Sequence, residues 1–112
     1  MDFLLNIEQV GNISIITMNN EYIRFVDPGH SWLRVPLNEL VIRGVISDIS
    51  EYSPMYNGFA YLEEDCDMGR FFKSLVKDVD VIKITDRYVD NFDEYLAQTR
   101  RRTNQIVVEQ TL

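Results

Sequence analysis

Tyr22-Ile23-Arg24-Phe25-Val26-Asp27-Pro28-Gly29-His30-Ser31-Trp32-Leu33-Arg34-Val35-Pro36 is the stretch whose reading decides the fold. Ile23 and Phe25 alternate with Tyr22, Arg24 and Val26, the period-two pattern of a strand with one apolar face and one mixed face. Asp27-Pro28-Gly29 must end that strand, because proline has no N–H to give a ladder and glycine tolerates positive φ. An extended pattern resumes from His30 to Val35. Pro36 then suits the first turn of a short helix through Leu37, Leu40 and Val41, with Gly44 as its C-terminal stop. The stretch predicts strand, tight turn, strand and helix in quick succession.

On the N-terminal side, Phe3 to Val10 and Ile13 to Met18 read as strands joined at Gly11-Asn12, and Asn19-Asn20 is a second turn, so this third of the chain reads as a meander. On the C-terminal side, Ile46 to Tyr52 and Phe59 to Leu62 read as two further strands. The segment between them, Ser53-Pro54-Met55-Tyr56-Asn57-Gly58, ends on a strong Asn-Gly turn signal. Met68, Phe71, Phe72, Leu75 and Val76 recur at three- and four-residue spacing, the stripe of an amphipathic helix, with Asp65 or Asp67 as its N-cap. Val79 to Ile84 reads as a strand. Asp90 to Arg102 reads as a final helix with Phe92, Tyr95 and Leu96 on one face. Ile106-Val107-Val108 reads either as an edge strand or as part of a tail over residues 103–112 that orders against a partner. The expected fold class is α+β: a single domain over residues 1–112, with an antiparallel sheet made of the N-terminal meander and the central hairpin, packed with two to three helices.

Composition narrows the function. The chain has 112 residues, of which 46% are hydrophobic and 12% aromatic, enough for one packed core. Its apolar runs are a few residues long, far short of the ~20 that span a bilayer, so no membrane partner is expected. Met1 to Asn6 carries no basic n-region followed by a cleavable apolar run, and cytoplasmic residence is the expectation. One cysteine, Cys66, excludes an internal disulfide. Eleven Lys and Arg against eighteen Asp and Glu give a net charge of −7, which disfavours direct nucleic-acid binding.

Two polar segments carry the candidate chemistry. Asp27, His30 and Trp32 place an imidazole beside a carboxylate at a rigid turn, and Glu63, Glu64, Asp65, Cys66 and Asp67 add oxygen donors and a thiol. If the chain is an enzyme, His30 with Asp27 and Glu64 would be its acid–base groups. One histidine and one cysteine cannot assemble a closed zinc site of the usual Cys/His type, so no metal is expected; were one bound, His30, Asp65 and Asp67 would be the donors. Cys66 lies between two aspartates, which disfavours its thiolate. Nucleotide-binding and serine-nucleophile signatures are absent, and no cofactor is expected. As a partner-binding surface the segments offer His30, Trp32, Glu63, Glu64, Asp65 and Asp67. To these the aromatic cluster Tyr52, Tyr56, Phe59 and Tyr61 adds Tyr56 as its best exposed contact. The plain structural alternative is that the acids cap a helix and the histidine fixes loop geometry.

Asp27-Pro28-Gly29-His30-x-Trp32-Leu33-x-Val35-Pro36, Ile49-Ser50-x-Tyr52-Ser53, Gly58 and Tyr61-Leu62-Glu63-Glu64-Asp65-Cys66-Asp67 together resemble a family of small uncharacterised proteins encoded by bacteriophages, plasmids and bacterial genomes. The resemblance covers about the middle half of the chain. It departs at Ser31, where the family has glycine, and at Pro54, where it has an aromatic residue. It implies a source and a core, and no activity. A phage or mobile-element source implies a non-enzymatic accessory domain that binds and modulates a host or defence protein. The competing expectations are a small metal-dependent or His-carboxylate enzyme using Asp27, His30, Glu64, Asp65 and Asp67, and a homo-oligomer associating through Ile106 to Val108 or the final helix.

Overall fold

A computed structural model describes the backbone of residues 5–10, 13–18 and 20–111 and the side chains of 20–101. Its strands are β1 (Leu5–Val10), β2 (Ile13–Met18), β3 (Glu21–Val26), β4 (Ser31–Pro36), β5 (Met55–Tyr56), β6 (Phe59–Glu63) and β7 (Lys83–Tyr88). Its helices are α1 (Leu37–Ile42), α2 (Met68–Lys73) and α3 (Phe92–Thr111). The fold is α+β, as the sequence predicts, but the main sheet is mixed. Its order is β5-β6-β4-β3-β7, and while the first three pairings are antiparallel, β7 runs parallel to β3. The expected meander also divides: β1 and β2 pair with each other in a separate two-stranded sheet, and β3 belongs to the five-stranded one. Gly11-Asn12 and Asn19 lie outside the described residues.

Alternation along β3, β4 and β6 gives the main sheet two apolar faces. Tyr22, Leu33, Val35, Ala60 and Leu62 point to one side and meet Leu40 of α1 with Met68 and Phe71 of α2. Phe25, Trp32 and Tyr61 point to the other and meet Phe92 and Leu96 of α3. A sheet covered on both faces explains why β4 is buried at five of its six positions rather than at every second one. The helix face expected of Phe92, Tyr95 and Leu96 is the face that α3 lays on the sheet.

The turn chemistry follows the sequence closely. Asn57 (φ 54°) and Gly58 (φ 85°) are both left-handed, the type I′ geometry that joins β5 to β6 in two residues. Gly44 (φ 73°) closes α1: its N–H donates to the Val41 carbonyl at 3.0 Å and that of Val45 to the Leu40 carbonyl at 3.0 Å, a Schellman cap.

Four expectations are corrected. Residues 46–52 form a single 3-10 turn (Ile46–Asp48) and loop instead of a strand, because Ile46 and Ile49 pack on the core as isolated contacts. The strand expected at Val79 to Ile84 lies at β7, four residues later, since pairing with β3 sets its start; Val79 and Val81 stay exposed. α2 stops at Lys73, where the Ser74 hydroxyl donates to the Phe71 carbonyl at 2.6 Å, and Val76 is outside it and exposed. Ile106 to Val108 lie within the span of α3 and form no edge strand.

Candidate functional site

The register of β4 against β6 brings the two polar segments together. Trp32 pairs with Glu63, and the Glu64 N–H extends the ladder by donating to the Ser31 carbonyl at 3.1 Å. The Ser31 hydroxyl donates to Glu64 Oε2 at 2.9 Å and fixes that side chain. His30, one residue before β4, therefore stands over the residues that follow β6. Its Nδ1 is 3.5 Å from Glu63 Oε1, 3.6 Å from Glu64 Oε1 and 3.9 Å from Asp65 Oδ2. One ligand atom from each of the four residues lies within 4.8 Å of the others. Glu63 is the buried member, and its Oε2 accepts the Asp65 N–H at 2.8 Å; the other three are exposed, His30 at 54%.

Asp27 and Asp67 stand outside this group, each committed to holding backbone. Asp27 Oδ1 accepts the N–H groups of Gly29 and His30 at 2.9 Å each, and Oδ2 accepts the Phe92 N–H at 3.0 Å. The Phe92 N–H first, with those of His30 and Gly29, holds this carboxyl below its usual range against the upward push of burial. Asp27 thus shapes the turn and anchors the start of α3. Asp67 is fully buried and accepts from the Ser50 N–H at 3.0 Å, the Ser50 hydroxyl at 2.6 Å, the Ser53 hydroxyl, and Arg70 at 2.8 Å. It occupies the N-cap position of α2 yet makes no capping bond with its side chain, which is spent on the 50–53 loop. Cys66 has its thiol pushed up by burial and by Glu63, Asp67 and Asp65, so it is held protonated, as its acidic neighbours predict.

The aromatic expectations divide. Trp32 is buried and stacks on Phe92 with ring centroids 4.2 Å apart, while His30 meets it edge-on at 5.9 Å. Tyr56, expected as the exposed contact, is half-buried under the Arg100 guanidinium at 5.2 Å. Within that aromatic cluster the exposed member is instead Tyr52, at 65%. Tyr52, Pro54 and Trp32 form the apolar wall of an open hollow whose polar wall is His30, Glu63, Asp65, Cys66 and Asp93. Asp93 comes from the first turn of α3, and only the packing of α3 on the sheet places it here, so no local signal marks it.

Comparison with protein-family models, with curated proteins and with solved structures finds no match for the chain.

Proposed function

We propose that this chain is a non-enzymatic protein-binding accessory domain of phage or mobile-element origin, acting in the host cytoplasm on a host or defence protein. One observation carries the reading: Tyr52, 65% exposed, lines one hollow with the exposed acids Asp65 and Asp93 and the buried Trp32. An aromatic anchor inside a polar rim, built on strand ends and a helix start, is the anatomy of an interaction hot spot. Asp27 and Asp67, two of the four carboxylates that would serve an enzyme, are spent on loop geometry, and the Cys66 thiol is held protonated. The test is affinity capture with the full chain from lysates of several bacterial hosts. One protein should be retained specifically and its recovery should fall with Tyr52→Ala. Retention indifferent to Tyr52→Ala would move the contact off this face, and a clean capture across all hosts would overturn the reading.

A second reading rests on the convergence of His30, Glu63, Glu64 and Asp65 within 4.8 Å. One nitrogen and three carboxylate oxygens suit a borderline-to-hard divalent ion such as Mn²⁺ or Zn²⁺. Calorimetric titration with either ion should show one saturable site, weakened by His30→Ala at least as much as the about tenfold that outer-sphere changes cause. Absence of saturable binding, or binding untouched by the substitution, would sink this reading.

A further inference from the structure

We infer that the hollow walled by Trp32, Tyr52 and Pro54 and by Glu63, Asp65 and Asp93 receives an arginine side chain of the partner protein, an inference that rests on the protein-binding reading above. A flat apolar wall facing carboxylates selects a cation that is itself flat and weakly hydrated. Guanidinium meets that description, whereas an ammonium is compact and strongly hydrated. The wall is ordered in advance at Trp32, which is buried, stacks on Phe92 at 4.2 Å and is met edge-on by His30 at 5.9 Å. A site ordered before binding loses less freedom on binding.

Glu63 is already engaged by the Asp65 N–H, but the other two acceptors are unspent. Among the described residues, no donor lies at hydrogen-bond distance from the carboxylate of Asp65 or Asp93; His30 Nδ1 stands 3.9 Å from Asp65 Oδ2. Elsewhere the chain fills similar surroundings with its own guanidinium groups. Arg34 lies over Phe59 at 4.9 Å, Arg87 over Tyr95 at 5.3 Å and Arg100 over Tyr56 at 5.2 Å, while Arg24 and Arg70 pair with Asp86 and Asp67. Trp32, Tyr52, Asp65 and Asp93 form an aromatic–carboxylate combination that receives none of them among the described residues. A net charge of −7 adds long-range attraction for a basic segment.

Trp32 is the chain's one tryptophan and lines the hollow, so its emission reports occupancy. The full chain, in EDTA to remove metal ions, is titrated with tri-arginine and separately with trilysine. Tri-arginine should give a saturable one-to-one change that weakens with added salt, with trilysine binding less tightly. Asp65→Asn and Asp93→Asn should each weaken tri-arginine about threefold, the scale of an exposed charge pair, and Tyr52→Ala by a similar factor. Asp78→Asn, which removes the same charge outside the hollow, should leave binding unchanged. Absence of a saturable response overturns the inference. Equal affinity for trilysine, or a loss with Asp78→Asn as large as with Asp93→Asn, does so too, since both mark unspecific attraction. If tri-arginine fails while lysate capture still depends on Tyr52, the arginine assignment falls and the protein-binding reading stands. If tri-arginine binds and capture is clean across all hosts, it is the protein partner that falls.

Discussion

Replacing Arg43 by alanine is expected to cost about 3–5 kcal/mol of folding stability, the scale of a buried ion pair broken from one side. Glu39 of α1 is fully buried, and its Oε2 accepts the Tyr22 hydroxyl at 2.6 Å and Arg43 Nε at 2.8 Å. The other end of the same guanidinium grips Asp80 with two bonds of 3.1 Å, tying the loop after α2 to the end of α1. Without Arg43, a carboxylate remains in the core with a phenol as its one remaining described donor, and Asp80 loses its anchor. Burial, then the Glu39 carboxylate, already pushes the Tyr22 hydroxyl far above its usual range, so the phenol stays neutral and supplies a hydrogen bond but no compensating charge. Adding Glu39→Gln to Arg43→Ala should recover part of the loss, because the stranded charge is then gone. Urea unfolding of the wild type and the two variants measures both effects. A cost below about 1 kcal/mol, the range of an exposed pair, would show that the network contributes little.

Asp67→Ala is expected to be comparably severe, about 3–5 kcal/mol, since it leaves the Ser50 N–H and the Ser50 and Ser53 hydroxyls without their buried acceptor and removes the charge that Arg70 pairs with. Burial works to raise this carboxyl's pKa, but the bonds from Ser50 and Ser53 and the charge of Arg70 outweigh it, and the net direction is downward. A depressed carboxyl contributes stability that is complete above its unfolded pKa, about 3.9, and that is lost as pH falls through the folded value. The gap between wild type and Asp67→Ala should therefore be widest at neutral pH and close on acidification below pH 4. An equal gap at pH 7 and pH 3 would contradict this assignment. Asp67 also sets the loop from Ser50 to Ser53 that carries Tyr52, so conditions that spare the fold should still show weaker partner capture by the variant.

Local signals in the sequence located β3, the Asp27 turn, β4, the Asn57-Gly58 turn and the sheet-facing side of α3, because proline, glycine and apolar periodicity act within a few residues. What it hid depends on distant partners. The run Val79 to Ile82 has the composition of a strand, yet the ladder begins at Lys83, where β3 offers a partner. Ile46 to Tyr52 is equally rich in strand formers, but Asp67 holds Ser50 as loop. The site shows the same division. The residue types at Asp27 to His30 and Glu63 to Asp67 were visible, and the β4–β6 register decided that His30 meets Glu63, Glu64 and Asp65 while Asp27 and Asp67 turn to the backbone. Tyr52 and Asp93 became neighbours of the hollow only through loop and helix placement.

The parallel pairing of β3 with β7 joins residues as far apart as Arg24 and Asp86, 62 positions along the chain. On the ribosome, β3 must wait through the synthesis of β4, both small helices and the central hairpin before its last neighbour exists. Loop-closure entropy makes such a pairing slow even after release. The β3 edge is thus the part of this domain left open longest during biogenesis, and the interval before β7 arrives is when misassembly would begin.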